Sequence, residues 1–172
     1  LGPTPQQTVD AVELLLACHG RIRTFLGFAE QLAKTPEVTG PEAVDVCERV
    51  LRYFGEAFPL HHRDEDESVL PRLRGKHRAL DEALDRMAED HGAIGLALAS
   101  LLGVLKEVKA DPAEPSHRQR LLTVTLLLEK IIGPHLAMEE QTILPAIRTH
   151  LDAATQAALL SEIRARRTGG AS

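Results

Sequence analysis

Two stretches of this chain carry the same chemistry at the same spacing. HHRDEDESVLP begins at His61 and HLAMEEQTILP begins at His135, so His61, Glu65, Leu70 and Pro71 each recur 74 residues later as His135, Glu139, Leu144 and Pro145. A second echo runs at an offset of 72, where His19-Gly20-Arg21-Ile22 is followed by His91-Gly92-Ala93-Ile94. Four histidines and two glutamates thus lie in two related halves. Imidazole and carboxylate, contributed from several helices at once, are the donor set that holds a pair of transition-metal ions inside a bundle.

The elements that must position these six residues read as all-α. Apolar residues recur at intervals of three and four, Gly and Pro fall mainly between those stretches, and β-branched alternation is scarce. A first helix is expected over residues 8–34, with Thr8 as N-cap and the Thr35-Pro36 pair as its end. A second runs over 41–74, opened by Pro41, kinked near Pro59 and ended by Gly75. A third covers 78–109, and a fourth runs from 116 to 150 with Gly133-Pro134 interrupting it. A short fifth helix over 152–166 follows a capping Asp152. The expected fold is an up-down-up-down four-helix bundle with a short extra C-terminal helix, forming one domain over 1–172 with its bundle core at about 8–150.

Loop midpoints near 40, 76 and 113 bring His19, His61, His91 and His135 to similar height in antiparallel helices. His19 is flanked by Leu15, Leu16, Ile22 and Leu26, and His91 by Leu84, Met87, Ile94 and Leu98, at offsets that turn both imidazoles inward. The fourth helix shows one stripe of Leu128, Ile131, Ile132, His135, Glu139, Thr142 and Ala146, and the second repeats it as Val50, Phe54, Ala57, His61, Glu65 and Ser68. A charged residue in such a stripe is costly unless it is paired or bound to metal. A rival register, His62 with Asp66, lies on a face with Leu51, Phe58, Val69 and Leu73. The proline-anchored match favours His61 and Glu65, leaving His62 and Asp66 as flanking groups.

Composition narrows the classes. The 172 residues are 44% hydrophobic with a net charge of −5 and pI about 5.9, and the basic residues are scattered. That balance argues against nucleic acid or an anionic membrane as the main partner. No run of apolar residues reaches the roughly 20 needed to span a bilayer, and the first residues lack the basic and apolar regions of a secretory signal, so a cytoplasmic protein is expected. Cys18 and Cys47 lie about 15 residues apart in height, roughly 22 Å, too far for a disulfide. The basic run from Arg164 to Arg167 suits a helix C-terminus. His77, His117 and His150 fall in loops or at helix ends, and Tyr53 and Asp90 are read as a packing residue and a surface residue. No His-Glu-x-x-His motif or Gly-rich phosphate loop occurs.

With these residues in place the chain resembles the hemerythrin-like family, the HHE cation-binding domain, across its first four helices. The resemblance rests on His19, on His61-x-x-x-Glu65 with Val69-Leu70-Pro71, on His91, and on His135-x-x-x-Glu139 with Ile143-Leu144-Pro145. It implies a four-helix bundle around a non-haem di-iron centre. Oxygen-carrying members have a second histidine four residues after that of the third helix, where this chain has Gly95, and an aspartate five residues after the fourth-helix histidine, where this chain has Glu139 at plus four. The set of four histidines and two glutamates is more similar to the repair-of-iron-centres proteins and the iron- and oxygen-sensing domains.

If both glutamates bridge, each ion receives two imidazole nitrogens and two carboxylate oxygens, an oxo or hydroxo bridge adds a fifth ligand, and one position stays open. Iron is the expected metal, two ions per chain, with manganese or zinc less suited. The expected function is binding of, or reaction with, a small ligand such as dioxygen, nitric oxide or peroxide. An iron donor or sensor, and a structural bundle binding another cation, are the alternatives. Neither an enzymatic step nor a protein partner is legible.

Overall fold

The computed structural model describes residues 10–169, which form helices and turns with no strand among the described residues. Helix α1 spans Ala11–Lys34. Helix α2 runs over 40–73 as one rod assembled from α-helical and π-helical pieces. Helix α3 spans Arg78–Ala110, α4 spans Pro115–His150 and α5 spans Ala153–Thr168. Consecutive helices pack side by side and α4 closes against α1, giving the up-down-up-down bundle, while α5 lies across α1 and the C-terminal half of α2.

Local chemistry explains the boundaries. Asp10 caps α1 through a capping box, accepting from the Glu13 amide at 2.7 Å while Glu13 accepts from the Asp10 amide at 3.1 Å. Thr8, the expected cap, lies outside the described residues. His77 caps α3 through Nδ1, which accepts from the Leu80 amide, and Asp152 caps α5. Gly75 ends α2 with φ 81°, a left-handed conformation that favours glycine. Arg118 is buried and donates to the carbonyls of Leu32, Val38 and Pro112, tying together the two loops at that end.

Three π-helical segments interrupt the helices, at Tyr53–Ala57, Glu65–Val69 and Glu139–Ile143. Each ends immediately before a hydrophobic residue and a proline: Phe58-Pro59, Leu70-Pro71 and Leu144-Pro145. Proline lacks an amide donor and its ring clashes with the carbonyl four residues back. Widening the turn resolves this, because the residue before each proline donates five residues back, Phe58 to Tyr53, Leu70 to Glu65 and Leu144 to Glu139. Pro59 therefore produces a widened turn rather than a simple kink. Gly133-Pro134, expected to interrupt α4, is accommodated within continuous helix.

Each widened turn also shifts which residue faces inward by one place. Phe58 is buried where Ala57 was expected, and Ile143 is buried where Thr142 was expected. Val69 takes the corresponding inward place on α2, with Ser68 turned toward α5.

The core falls into two clusters. One contains Ile22, Phe54, Phe58, Ile94, Leu128 and Ile132, and the other contains Leu15, Val69, Leu84, Met87, Ile143 and Leu159. The predicted site residues lie in the layer between them. An 18-residue window of α4 reaches a mean hydropathy of 1.4, so this helix is long and apolar enough to cross a membrane, contrary to the reading of apolar runs above. Here it packs between α1 and α3 and carries His135 and Glu139 on its buried face.

Candidate metal centre

The bundle brings all six predicted residues together in its interior. His19 comes from α1, His61 and Glu65 from α2, His91 from α3, and His135 and Glu139 from α4, with exposures between 0% and 8%. The two glutamates are the first residues of their π-helical segments. The Leu-Pro pair that follows each of them thus sets the backbone on which the carboxylate sits.

The arrangement of the carboxylate oxygens is specific. Glu65 places Oε1 3.4 Å from His61 Nε2 and 3.9 Å from His19 Nε2, and Oε2 3.3 Å from His91 Nε2. Glu139 places Oε2 3.3 Å from His19 Nε2, and Oε1 2.9 Å from His135 Nε2 and 3.9 Å from His91 Nε2. Each carboxylate therefore sends one oxygen toward the His19/His61 side and the other toward the His91/His135 side. Two four-residue groups result, His19-His61-Glu65-Glu139 and Glu65-His91-His135-Glu139, and within each group one donor atom per residue lies within 4.8 Å of the others.

These close approaches lack hydrogen-bond geometry. Among the described residues, ten of the twelve buried side-chain polar atoms without a hydrogen-bond partner belong to His19, His61, His62, His91, His135, Glu65 and Glu139. Buried polar atoms are normally paired, and leaving them unpaired costs about 1–3 kcal/mol each. A concentration of orphaned imidazole nitrogens and carboxylate oxygens around one point fits a cation site.

Electrostatics agree. Burial alone would raise both carboxylates, yet the surrounding imidazoles, His61 foremost for Glu65 and His135 and His19 for Glu139, hold them below the ordinary glutamate range. Burial opposes charge on His19 and His91, but contacts to Glu139 and Glu65, with Glu140 for His19 and Asp66 for His91, outweigh it and raise them to about 10 and about 11. In the metal-free protein, protons on these imidazoles supply the positive charge the carboxylates require. Burial lowers His61, and burial with the neighbouring His91 lowers His62 to about 3.

An outer set of acids orients the imidazoles. Nδ1 of His91 donates to Asp66 at 2.9 Å, Nδ1 of His19 to Glu140 at 2.9 Å, and Nδ1 of His135 to Asp90 at 3.4 Å. A carboxylate only accepts, so Nδ1 carries the hydrogen and Nε2 is aimed at the centre. Asp66 is thereby a supporting group, as expected from its register. Asp90, read as a surface residue, is half-buried and faces His135. Glu140, absent from the sequence reading, corresponds to Asp66 in the repeated segment, and that correspondence was the available signal. Arg23 braces Glu140 at 2.9 Å.

His62 also turns inward. Its ring stacks on His91 with centroids 3.8 Å apart and planes 14° apart, and its Nε2 is buried without a partner. Tyr53 stacks on Phe25 at 4.1 Å and packs, as expected. Cys18 and Cys47 are both buried and free. The basic run near the C-terminus does more than complement a helix end: Arg166 and Arg167 bind the fully buried Asp64 of α2 at 2.8 and 2.7 Å.

Comparison with known proteins follows the same residues. The family model of the Hemerythrin HHE cation binding domain matches residues 10–147. A protein of Haemophilus influenzae described as uncharacterized is 25% identical over 147 residues, covering 79% of this chain and 80% of the relative.

Proposed function

The chain belongs to the Hemerythrin HHE cation-binding family, and from that premise we propose that it holds two non-haem iron ions at this centre and presents them to a small ligand such as dioxygen, nitric oxide or peroxide. The proposed ligands are His19, His61, Glu65, His91, His135 and Glu139. The observation that carries the reading is the division of both carboxylates, one oxygen to each pair of imidazoles. A single ion would leave half of those oxygens and two imidazoles facing nothing. Mixed imidazole and carboxylate donors suit iron better than zinc, which favours fewer ligands. Bound iron would supply redox chemistry and affinity for small ligands. The protein's own contribution is to hold six donors aimed inward, to orient three of the imidazoles through Asp66, Glu140 and Asp90, and to enclose the centre between two apolar clusters.

Access also fits a small ligand. A cleft of about 350 Å³ between α2 and α3, lined by Phe54, Phe58, Gly95, Leu98 and Leu102, ends at His62, whose ring stacks on His91. Its walls are mostly apolar, which suits an uncharged diatomic molecule. With a net charge of −5 and no basic stripe, a cytoplasmic protein acting on small molecules rather than nucleic acid or a membrane is the companion proposal.

Elemental analysis of protein purified without chelator, with its near-ultraviolet and visible spectrum, tests the reading. Two irons per chain and charge-transfer bands that bleach on reduction are expected. Zinc alone, or less than one iron after anaerobic reconstitution, would overturn it. Two irons that ignore every small ligand would leave the iron donor or sensor as the function.

A further inference from the structure

The repeat that places Glu65 opposite Glu139 and Asp66 opposite Glu140 also places His62 opposite Leu136, and here the halves part. Helix α2 lies between α1 and α3, and its consecutive imidazoles divide between those neighbours. His61 meets His19 of α1 with ring centroids 5.1 Å apart, while His62 stacks on His91 of α3 at 3.8 Å. On α4 the equivalent pair is His135, whose ring lies 5.1 Å from His91, and Leu136, which is buried in an apolar cluster. One half offers a third imidazole and the other a hydrocarbon.

Packing against His91 and, edge-on at 4.4 Å, against Phe58 accounts for the ring of His62 but not for its Nε2. Its Nε2 has no hydrogen-bond partner although it is buried, and together with a donor atom each from His91 and His135 it forms a group whose members all lie within 4.8 Å of one another. Residue 95, one turn beyond His91 on α3, is glycine. Gly95 and His62 line the same cleft, and a Cβ built at Gly95 would meet nothing within 4 Å.

We propose that His62 is a fifth histidine ligand, which supplies from α2 the imidazole that Gly95 cannot supply from α3. The ion on the α3 side would then be held by His62, His91, His135, Glu65 and Glu139, and the ion on the α1 side by His19, His61, Glu65 and Glu139. The two ions would therefore be unequal, with one more protein ligand on the α3 side. This assignment rests on the two-ion reading above and adds to it the identity of a ligand and an asymmetry.

The test uses the full chain loaded anaerobically with ferrous ⁵⁷Fe. The wild type is compared with His62→Leu, which installs the side chain found at the equivalent position of the other half, and with the double variant His62→Leu/Gly95→His. Circular dichroism establishes folding, Mössbauer spectroscopy reports the two iron environments, and chelator competition reports retention of each ion. Two distinct quadrupole doublets are expected in the wild type. In His62→Leu one doublet should shift toward the other, and one of the two ions should be lost to chelator roughly 10- to 100-fold more readily, at least the effect of removing a supporting partner. The double variant should regain the second environment, which a merely structural role for His62 would not predict. A wild type with two irons, and a folded His62→Leu protein with the same two doublets and the same retention, would overturn this assignment alone. A wild type that cannot take up two irons would overturn the two-ion reading and this assignment with it. Should the leucine variant not fold, His62→Gln is read by the same criteria.

Discussion

Nδ1 of His91 donates to the Asp66 carboxylate across 2.9 Å, joining α3 to the residue that directly follows Glu65 on α2. The contact fixes both the tautomer and the tilt of the imidazole. Replacing Asp66 with Ala should leave the fold intact, because the side chain is substantially exposed, but should weaken iron retention by about 10- to 100-fold. Chelator competition measures it. Glu140→Ala should behave alike through His19, and unchanged retention in both variants would show that these acids do not orient the site.

Glu65→Gln and Glu139→Gln test the carboxylates themselves. Each removes a charge that faces both sides of the centre, so bound iron should fall below two per chain. A ligand present at a hundredfold excess over its Kd stabilises the folded state by about 2.7 kcal/mol. The wild-type melting temperature should therefore rise on iron loading and that of either variant should rise little. An equal rise in all three would sink the assignment.

Proton and metal compete for this centre, and the direction follows from the shifts. His19 and His91 are raised from 6.5 to about 10 and about 11 in the metal-free protein, so the stability their charges contribute is complete below about pH 6.5 and lost as pH climbs toward 10 to 11. Glu65 and Glu139 are depressed, so their contribution is present above about pH 4.5 and lost in acid. Metal binding displaces the imidazole protons. Melting curves with and without a redox-inert divalent ion should show the metal-free protein weakening from pH 7 to 10 while the increment from metal grows. A metal increment independent of pH would contradict this.

Asp64 has no solvent exposure and is bound by Arg166 and Arg167, whose side chains are 14% and 26% exposed. Asp64→Ala leaves two guanidinium groups facing each other in a mostly buried site. A loss of about 3 kcal/mol is expected, near the lower limit for breaking a buried pair because Arg167 retains some hydration. Urea denaturation reads the loss, and hydrogen exchange should show α5 opening first. A change below about 0.5 kcal/mol, the ordinary range for surface substitutions, would mean that α5 docks by its apolar face alone.

Burial pushes the Cys47 thiol up to about 11. The thiolate is the nucleophile, so Cys47 should resist alkylation in the native protein at pH 8 and react once urea unfolds it. Rapid native labelling, located by mass spectrometry, would contradict its placement.

Helix type, helix order and the six inward residues were legible because charge in an apolar stripe and a repeat anchored by Leu70-Pro71 and Leu144-Pro145 are statements about neighbours in the chain. The widened turns were not legible as such, although their cause was printed in the same residues. A wheel of 3.6 residues per turn carries Glu139 forward to Thr142, whereas the turn that Pro145 enforces delivers Ile143 instead. The roles of Asp90 and Glu140 depend on contacts between helices 45 and 121 residues apart in sequence, which periodicity within one helix does not report. The proline-anchored match between the repeats favours His61 and leaves His62 on a flank, because a straight helix does not aim adjacent residues at one neighbour. It can aim them at two neighbours, one on either side.

The polar layer between the two apolar clusters bears on how the molecule comes apart. Hydrocarbon packing is interrupted across the whole section at the height of His19, His61, His91 and His135, so in the metal-free chain the two ends are coupled mainly through the continuity of their four helical rods. The protein is then mechanically two short bundles spliced end to end, and two ions gripped by all four rods at the splice would act as its rivets, making loading and discharge a change in the cooperative unit as well as in chemistry.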